Sequence, residues 1–192
     1  MKRYLILACL AVASILGSQP SFAGPLIAPT RSIAAPKGFA GACGQYAWLC
    51  VNKAGRSMPD SVAMSLLKSV NRSVNARVRP VADRGNSDRW SLPTNNRGDC
   101  EDYALAKKKQ LIEAGFPANR LAMTVVLDRR GNNHAVLMAR LNGGDYVLDN
   151  LSGSVKSWQS TGYTFLARQS FENKKVWKVI LAGPRAKQFA QR

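Results

Sequence analysis

The sequence predicts an α+β domain in which helices come first and an antiparallel sheet follows. Between residues 59 and 114, apolar side chains recur at the three- and four-residue spacing of amphipathic helices. After residue 120 the pattern changes to short strand-like segments such as LAMTVVL, which are joined by turn residues. Because strands with short connections pair antiparallel, this order favours helices packed on an antiparallel sheet.

The N-terminus has the features of a secretory signal peptide. A short basic head precedes an apolar run, YLILACLAVASILG, that is too short to span a bilayer comfortably. The motif SFA then forms a small-x-small signal-peptidase site, so we expect residues 1–23 to be removed after Ala23. A lipoprotein signal at Cys9 is less favoured, since it leaves almost no apolar region ahead of the cysteine. No other long apolar segment follows, which predicts a periplasmic or secreted protein without a transmembrane segment.

The composition is strongly basic. Removing the signal peptide leaves 26 basic residues against 11 acidic ones, a net charge of +15. For an exported protein, this charge favours anionic envelope polymers or lipid headgroups as neighbours and gives no specific indication of nucleic acid. The charges are scattered, and a solvated basic surface is the simplest interpretation.

Three cysteines remain after Ala23, an odd number for an oxidising compartment. Cys43 and Cys50 are separated by six residues, so a short loop allows a disulfide between them. Cys100 is then the unpaired cysteine. Its candidate roles are a buried structural thiol, half of a disulfide, a metal ligand or a nucleophile.

The first half of the chain is predicted to hold a lead-in, a helix and a loop. Residues 24–58 begin rich in Pro, Gly and Ala and are expected to be extended, whereas 79–98 has the Pro, Gly, Asn and Asp content of a loop. The acids of that loop and Trp90 either wall a cleft before Cys100, or Trp90 simply anchors the loop. The helix, at 59–78, has one apolar stripe: Val62, Leu66, Leu67, Val70, Val74 and Val78.

A second helix is predicted from Cys100 to Ala114. Asp99 suits its N-cap and Gly115 its C-terminal cap, because these residue types satisfy the free backbone groups at helix ends. We expect the three lysines at 107–109 to reach solvent.

The second half of the chain is predicted to form the sheet. Asn142-Gly143 is a strong signal for a two-residue type I′ hairpin turn between the second and third strands. The predicted strands and the basic tail that follows them are at 121–127, 133–141, 145–151, 175–182 and 184–192.

This hairpin places the only histidine of the chain beside an acid. If Leu141 pairs with Gly144, Val136 lies opposite Asp149, and His134 shares a face with Asp149 because side chains alternate along a strand. As diagonal neighbours, the two residues have Cβ atoms roughly 7–8 Å apart, within reach of an imidazole and a carboxylate. A one-residue slip in the pairing removes this arrangement.

Cys100, His134 and Asp149 together have the chemistry of a thiol hydrolase. A helix N-terminus favours the thiolate, and an imidazole completes the ion pair and protonates the leaving amine. The acid orients the imidazole, while backbone N–H groups at the helix start bind the oxyanion. One His and one unpaired Cys do not supply a typical zinc ligand set.

Asp99, Glu101 and Asp102 surround the thiol with negative charge, which raises a thiol pKa. Two interpretations stay open. The acids either cap the helix and complement its dipole, or they bind a hard cation such as Ca²⁺ through oxygen ligands. The lack of an EF-hand-type loop favours capping.

Several stretches in combination resemble the bacterial transglutaminase-like cysteine proteinase family. They are GDCEDYALAKKKQLIEAGFP, LAMTVVLDRRGNNHAVLMAR, GDYVLDNLSG and TGYTFLARQS, with the spaced asparagines Asn71 and Asn75. The resemblance covers roughly residues 60–180. It implies a papain/transglutaminase-like fold for residues 59–183, an envelope location, and Cys100, His134 and Asp149 as the triad.

The best-understood members of this family are periplasmic proteases that clip a surface adhesin, and acids flanking their cysteine take part in Ca²⁺ binding. The resemblance therefore implies a protein substrate in the envelope and Asp99 and Glu101 as calcium ligands, with Asp102 a weaker candidate and no organic cofactor. The segment WSLPTNNRGDC looks shorter than in the adhesin proteases, so the adhesin substrate does not carry over directly.

Three functions are consistent with the sequence. The leading hypothesis is an exported cysteine peptidase that works through a thioester. The alternatives are acyl transfer to an amine, as in a transglutaminase or amidase, and an inactive, basic envelope-binding protein of the same fold.

Overall fold

The computed structural model describes residues 26–82 and 89–190. The predicted signal peptide and the loop acids Asp83 and Asp88 lie outside these residues. Within them, the predicted α+β order is confirmed, since the two long helices precede most of the sheet. No helix in the described ranges is both long and apolar enough to cross a bilayer.

The helices lie mainly before residue 114. The α-helices are α1 (Ala42–Gln45), α2 (Asp60–Arg77), α3 (Cys100–Glu113) and α4 (Ala186–Phe189). Short 3₁₀ turns occur at Lys37–Phe39, Ala47–Cys50, Ala118–Arg120 and Trp158–Thr161.

The described strands form a seven-stranded antiparallel sheet in the order β1-β9-β8-β4-β5-β6-β7, and β2 and β3 form a separate short parallel pair. Helices α2 and α3 pack on one face of the large sheet, above β5, β6 and β7. The strands are β1 (Ser32–Ile33), β2 (Arg79–Pro80), β3 (Arg97–Gly98), β4 (Leu121–Leu127), β5 (Asn133–Leu141), β6 (Gly144–Asp149), β7 (Ser152–Ser157), β8 (Thr164–Gln169) and β9 (Trp177–Ala182).

Five of these strands were not predicted from the sequence: the two-residue strands β1, β2 and β3, and the longer strands β7 and β8. The predicted third strand, 145–151, ends at Asp149 in the structure, and residues 150–151 turn the chain into β7. β7 is mostly polar and half-buried, so it lacks the apolar alternation that predicts a strand. β8 lies between β9 and β4 and is buried along most of its length.

The buried face of helix α2 differs slightly from the predicted apolar stripe. Leu67, Val70, Val74 and Val78 are buried as expected, but Val62 is exposed. Ala63 takes its place at the interface because the apolar face is rotated by one residue at the start of the helix. The buried face also contains a polar residue, Asn71.

Helix α3 ends as predicted, but its lysines do not reach solvent. Gly115 has φ of +85°, and its N–H donates to the carbonyl of Ile112, which closes the C-terminus. Lys107 and Lys108 are fully buried, so the expectation of a solvated lysine run is wrong for both. The physical reason is that α3 lies between α2, the lead-in segment and the sheet, and only Lys109 among the three lies on the open side.

The β5–β6 hairpin has the predicted register with a different turn. Leu141 pairs with Gly144, and Leu137 pairs with Leu148, which continues the predicted alignment toward Asp149. Neither Asn142 nor Gly143 has a positive φ, so the turn is not of type I′ and that expectation is wrong. The positive φ, +126°, lies on Gly144, which has no Cβ to oppose it.

The segment before α2 is more ordered than its composition suggests. Its 3₁₀ turns and α1 carry Phe39 and Leu49 into the main core. Cys43 and Cys50 form a disulfide, and Cys100 is the free cysteine of the described residues.

Trp90 acts as a loop anchor. Its ring packs edge-on against Phe39 and Trp177, with centroid separations of 5.4 and 5.9 Å, and its side chain is buried. This cluster fixes the chain that leads into α3, and Trp90 therefore holds a core position instead of walling a cleft.

Candidate active site

Cys100 is the first residue of α3, where the helix N-terminus meets β5. Its Sγ accepts a hydrogen bond from the backbone N–H of Ala135 at 3.4 Å and donates one to Glu101 Oε2 at 3.1 Å. Ala135 directly follows His134, so the thiol lies against the strand that carries the histidine. The helix places the thiol at this point because Asp99 has the extended backbone of an N-cap and helical geometry begins at Cys100.

The surroundings of Cys100 favour the protonated thiol over the thiolate. Burial raises the pKa of Cys100, and the negative charge and hydrogen-bond acceptor of Glu101 raise it further. The N–H of Ala135 acts in the opposite direction, because it donates to the sulfur and favours the thiolate.

His134 and Asp149 form a buried pair, as the hairpin register predicts. The distance from His134 Nε2 to Asp149 Oδ1 is 2.8 Å, and both residues are at least nine-tenths buried. The ring nitrogen that bonds the carboxylate is therefore Nε2. His134 begins the buried part of β5 and Asp149 ends β6, and because the two strands are antiparallel both residues lie at the same end of the sheet.

Asp149 is held by more than the histidine. Its Oδ2 accepts from the Tyr163 hydroxyl at 2.6 Å, and its Oδ1 also accepts from the N–H of Leu151 at 3.0 Å. Burial acts to raise the pKa of Asp149, but hydrogen bonds from His134 and Tyr163 hold it below its usual value. The carboxylate is therefore ionised and fixed beside the imidazole.

Two asparagines of α2 clamp the turn after Asp149. Asn71 Oδ1 accepts from the N–H of Asp149 at 3.1 Å, while its amide donates to the carbonyl of Ser152 at 2.9 Å. Asn75 donates to the carbonyls of Asp149 and Ser152 at 2.9 and 3.1 Å. Because the asparagines are one helical turn apart, both face the same bend.

Tyr163 and this clamp are positioning features that residue-level reasoning missed. The asparagine pair had a visible signal, since two amides at i and i+4 flank the apolar stripe of an amphipathic helix. Tyr163 had none, because its contact with Asp149 depends on the path of the chain from β7 to β8.

The three acids near Cys100 have different surroundings. Asp102 Oδ1 accepts from the N–H and the hydroxyl of Ser91, at 3.0 and 3.2 Å, and so ties the preceding segment to α3. Asp99 occupies the N-cap position without a side-chain capping bond, and its carboxyl group contacts that of Glu101.

Glu101 is the acid most affected by its surroundings. Burial raises the pKa of Glu101 to about 8, and the charge of Asp99 adds to the effect, although hydrogen bonds from Cys100 and the backbone oppose it. Two adjacent, desolvated carboxyl groups match the hard oxygen donors that Ca²⁺ prefers, so Asp99 and Glu101 fit this cation. The described ranges hold no group of three or more Asp, Glu, His or Cys side chains arranged for a metal, and Asp102 is engaged elsewhere.

The fold matches solved structures of one bacterial protein. The calcium-bound structure of Legionella pneumophila LapG is 21% identical, with a TM-score of 0.54 over 67% of this chain and 74% of that chain. A second LapG structure is 20% identical, with a TM-score of 0.54 over 71% of this chain and 76% of that chain. An EGTA-treated form gives 0.50 at 20% identity, over 73% of this chain and 83% of that chain.

The sequence itself matches a family model over most of its length. No curated protein matches significantly. The model for the bacterial transglutaminase-like cysteine proteinases, BTLCP, matches residues 30–184, which include every candidate site residue. The chain therefore belongs to the bacterial transglutaminase-like cysteine proteinase family and is a cysteine peptidase.

Proposed function

We propose that the chain cleaves peptide bonds through a catalytic triad of Cys100, His134 and Asp149. The observation that carries the proposal is the buried contact of 2.8 Å between His134 Nε2 and Asp149 Oδ1, next to the backbone N–H that touches the Cys100 sulfur. A structural thiol does not need an oriented imidazole beside it.

In the proposed reaction, His134 removes the thiol proton through Nδ1, because Nε2 is engaged by Asp149. The thiolate attacks the peptide carbonyl carbon, and the N–H groups at the start of α3 stabilise the oxyanion. The C–N bond breaks, His134 returns the proton to the leaving amine, and a thioester with Cys100 remains. Water then attacks the thioester with His134 as base, releasing a carboxylate and the free thiol.

Asp149 keeps the imidazole in the tautomer that this reaction needs. Its charge stabilises the imidazolium formed when His134 takes a proton. Tyr163, Asn71 and Asn75 keep the carboxylate in place.

Asp99 and Glu101 are proposed to hold Ca²⁺, whose positive charge would offset that of the two carboxylates. When Glu101 is ionised without a counter-charge, it stabilises the protonated thiol. Asp102 is a poorer candidate, because Ser91 already occupies its Oδ1.

The proposed location is the periplasm, and the proposed substrate is a protein of the cell envelope. The N-terminal signal-peptide pattern and the family support the location, with residues 59–183 as the catalytic domain. A surface adhesin is the substrate that the family resemblance favours.

The test compares thiol reactivity and peptide cleavage in wild type, Cys100→Ser and His134→Ala. Each protein is treated with iodoacetamide, with and without Ca²⁺, and is incubated with a proteome-derived peptide library. We expect faster alkylation of wild-type Cys100 than of the same thiol in His134→Ala. Cleavage is expected to fall at least about a thousandfold in both variants.

Asn133→Ala is the matched control, since Asn133 is an exposed neighbour of His134 on the same strand. It is expected to retain both activities. Alkylation of Cys100 at the same rate in wild type and His134→Ala, with no library cleavage, would contradict the triad. Incorporation of a labelled amine in place of hydrolysis would assign the chain to acyl transfer.

A further inference from the structure

A cavity of about 430 Å³ lies at the Asp149 end of the site. Asp149 and Tyr163 form part of its wall, whereas Cys100 and His134 do not line it. Its volume falls within the range of protein ligand pockets, roughly 300–1,000 Å³. The carboxylate of the His134–Asp149 pair therefore borders the cavity, whereas the thiol does not.

Three cationic side chains line this cavity: Arg129 and Arg130 from the β4–β5 connection, and Lys156 from β7. The β4–β5 connection leads directly into His134, and β7 begins just after Asp149. The positive charge is thus carried by the two segments that flank the buried His–Asp pair.

Two carboxylates also line the cavity, and both have hydrogen-bond donors already. Asp128 Oδ1 accepts from the N–H groups of Arg130 and Asn132, each at 2.8 Å, and its Oδ2 accepts from the Asn132 amide at 3.1 Å. Asp149 accepts from the histidine and from Tyr163. The cations are therefore the charged groups best placed to meet a ligand.

Arg129 is held in position before any ligand binds. Its Nε donates to the carbonyl of Thr161 at 2.7 Å. Its side chain crosses Gly162, where an added Cβ would lie 3.4 Å from Nε. This contact uses one donor of the guanidinium, and the terminal amino groups suit a carboxylate.

We propose that this cavity is a specificity pocket for an acidic side chain of the protein substrate. The inference rests on the proposed peptidase function. Leu151, also in the cavity wall, is 62% exposed and offers apolar surface that a polypeptide covers and an inorganic anion does not. Because Cys100 does not line the cavity, the acidic residue is separated along the substrate from the bond that is cleaved.

The first test profiles cleavage of the peptide library by wild type, Arg129→Gln, Lys156→Gln and the control Lys175→Gln, an exposed lysine outside the cavity. Wild type is expected to enrich Asp or Glu at one fixed position. Each cavity variant is expected to reduce that enrichment about tenfold, because one charge-assisted contact is lost. Lys175→Gln is expected to leave it unchanged.

A second test does not need catalysis. A labelled Glu-containing peptide and its Gln counterpart are titrated onto Cys100→Ser and onto the double variant Cys100→Ser, Arg129→Gln. We expect about tenfold tighter binding of the Glu peptide by Cys100→Ser and equal binding by the double variant.

Equal binding of the two peptides by Cys100→Ser, or an acidic preference that survives both cavity variants, would overturn the pocket. Arg129-dependent binding of inorganic phosphate without any preference for the Glu peptide would also overturn it, because the cavity would then serve a free anion. Failure of wild type to cleave any peptide contradicts the proposed function instead, and the titration still decides the pocket.

Discussion

The two halves of the candidate site are built in opposite ways. On the sheet side, His134 and Asp149 are fully oriented. Tyr163 donates to the carboxylate and favours its ionised form, while the Asn71–Asn75 clamp holds the backbone of Asp149. On the helix side, burial and Glu101 keep the Cys100 thiol protonated. The proposed base is already oriented, and we call this side the prepared half, whereas the proposed nucleophile is held in its protonated form.

This difference shows where the enzyme can be controlled. Orienting the base requires only packing and hydrogen bonds, which folding itself provides. Releasing the thiol requires removing or neutralising negative charge next to it, which a cation or a mutation supplies. Substitutions on the two sides should therefore have different effects, and the largest is expected on the helix side.

Glu101→Gln is expected to activate the thiol. The glutamine removes the charge and carboxylate acceptor that, after burial, most raise the pKa of Cys100. Loss of one adjacent charge lowers a pKa by about 1–3 units, and the weaker nucleophilicity of a more acidic thiol offsets half of that gain. Alkylation by iodoacetamide without Ca²⁺ should therefore rise about three- to thirtyfold near pH 9, where Glu101, with a pKa of about 8, is ionised in the wild type.

The control is Glu113→Gln, at the exposed C-terminal end of the same helix. It should alkylate at the wild-type rate. Slower alkylation of Glu101→Gln would show that Glu101 assists the thiol instead of restraining it. Loss of any effect of Ca²⁺ on alkylation in this variant would support Glu101 as a ligand.

Tyr163→Phe tests the prepared half. The phenylalanine keeps the ring beside His134 but removes the hydroxyl that donates to Asp149 at 2.6 Å. Because that bond helps to lower the pKa of Asp149, its loss raises this pKa and moves the acidic limb of the activity profile to higher pH. Cleavage of a library-derived peptide should fall about three- to tenfold at neutral pH.

Tyr146→Phe is the matched control, because Tyr146 lies on β6 with Asp149 and its hydroxyl instead approaches the carbonyl of Gly143. It should retain the wild-type rate and pH profile. A Tyr163→Phe enzyme with reduced activity but an unmoved acidic limb would indicate a packing role only.

The prepared half was also the more predictable one. The His134–Asp149 contact follows from local rules, since a two-residue turn and the alternation of side chains determine which residues of a hairpin share a face. The register was right although the turn type was wrong, because the observed turn also leaves two residues between the paired Leu141 and Gly144. The contact of Tyr163 with Asp149 could not be predicted from the sequence. Tyr163 directly precedes β8, whose neighbours in the sheet are β4 and β9 and not β6.

On the helix side, a run of charged residues was a poor indicator of exposure to solvent. The lysine run at 107–109 looks like a solvated face, yet Lys108 Nζ donates to the carbonyl of Leu49 and to Gln169 in the core. Lys107 Nζ is buried with no hydrogen-bond partner among the described residues. Whether a long polar side chain is buried depends on what covers the helix, and that covering segment is distant in sequence.

Lys107→Met is expected to stabilise the fold, and of the three variants it should affect the site least. Burial lowers the pKa of Lys107 from 10.5 to about 7, although the charge of Asp149 acts to raise it. Between those values the unfolded chain binds the extra proton, so this lysine destabilises the fold most below pH 7 and progressively less as the pH rises. An apolar chain of similar length avoids burying an amine that has no hydrogen-bond partner, and urea unfolding should show a gain of about 1–2 kcal/mol at pH 6.

The pH dependence of that gain distinguishes charge burial from better packing. The gain should shrink when the titration is repeated near pH 9, whereas other ionisations contribute equally to both proteins and cancel. Lys109→Met, which changes a half-exposed lysine paired with Glu113, should show no such trend. A gain that stays constant with pH would mean that Lys107 keeps its proton in the folded chain across this range, as it does in the unfolded chain. The attraction of Asp149 would then outweigh burial in setting the pKa of Lys107, and the buried amine would be a charged partner of the prepared half of the site.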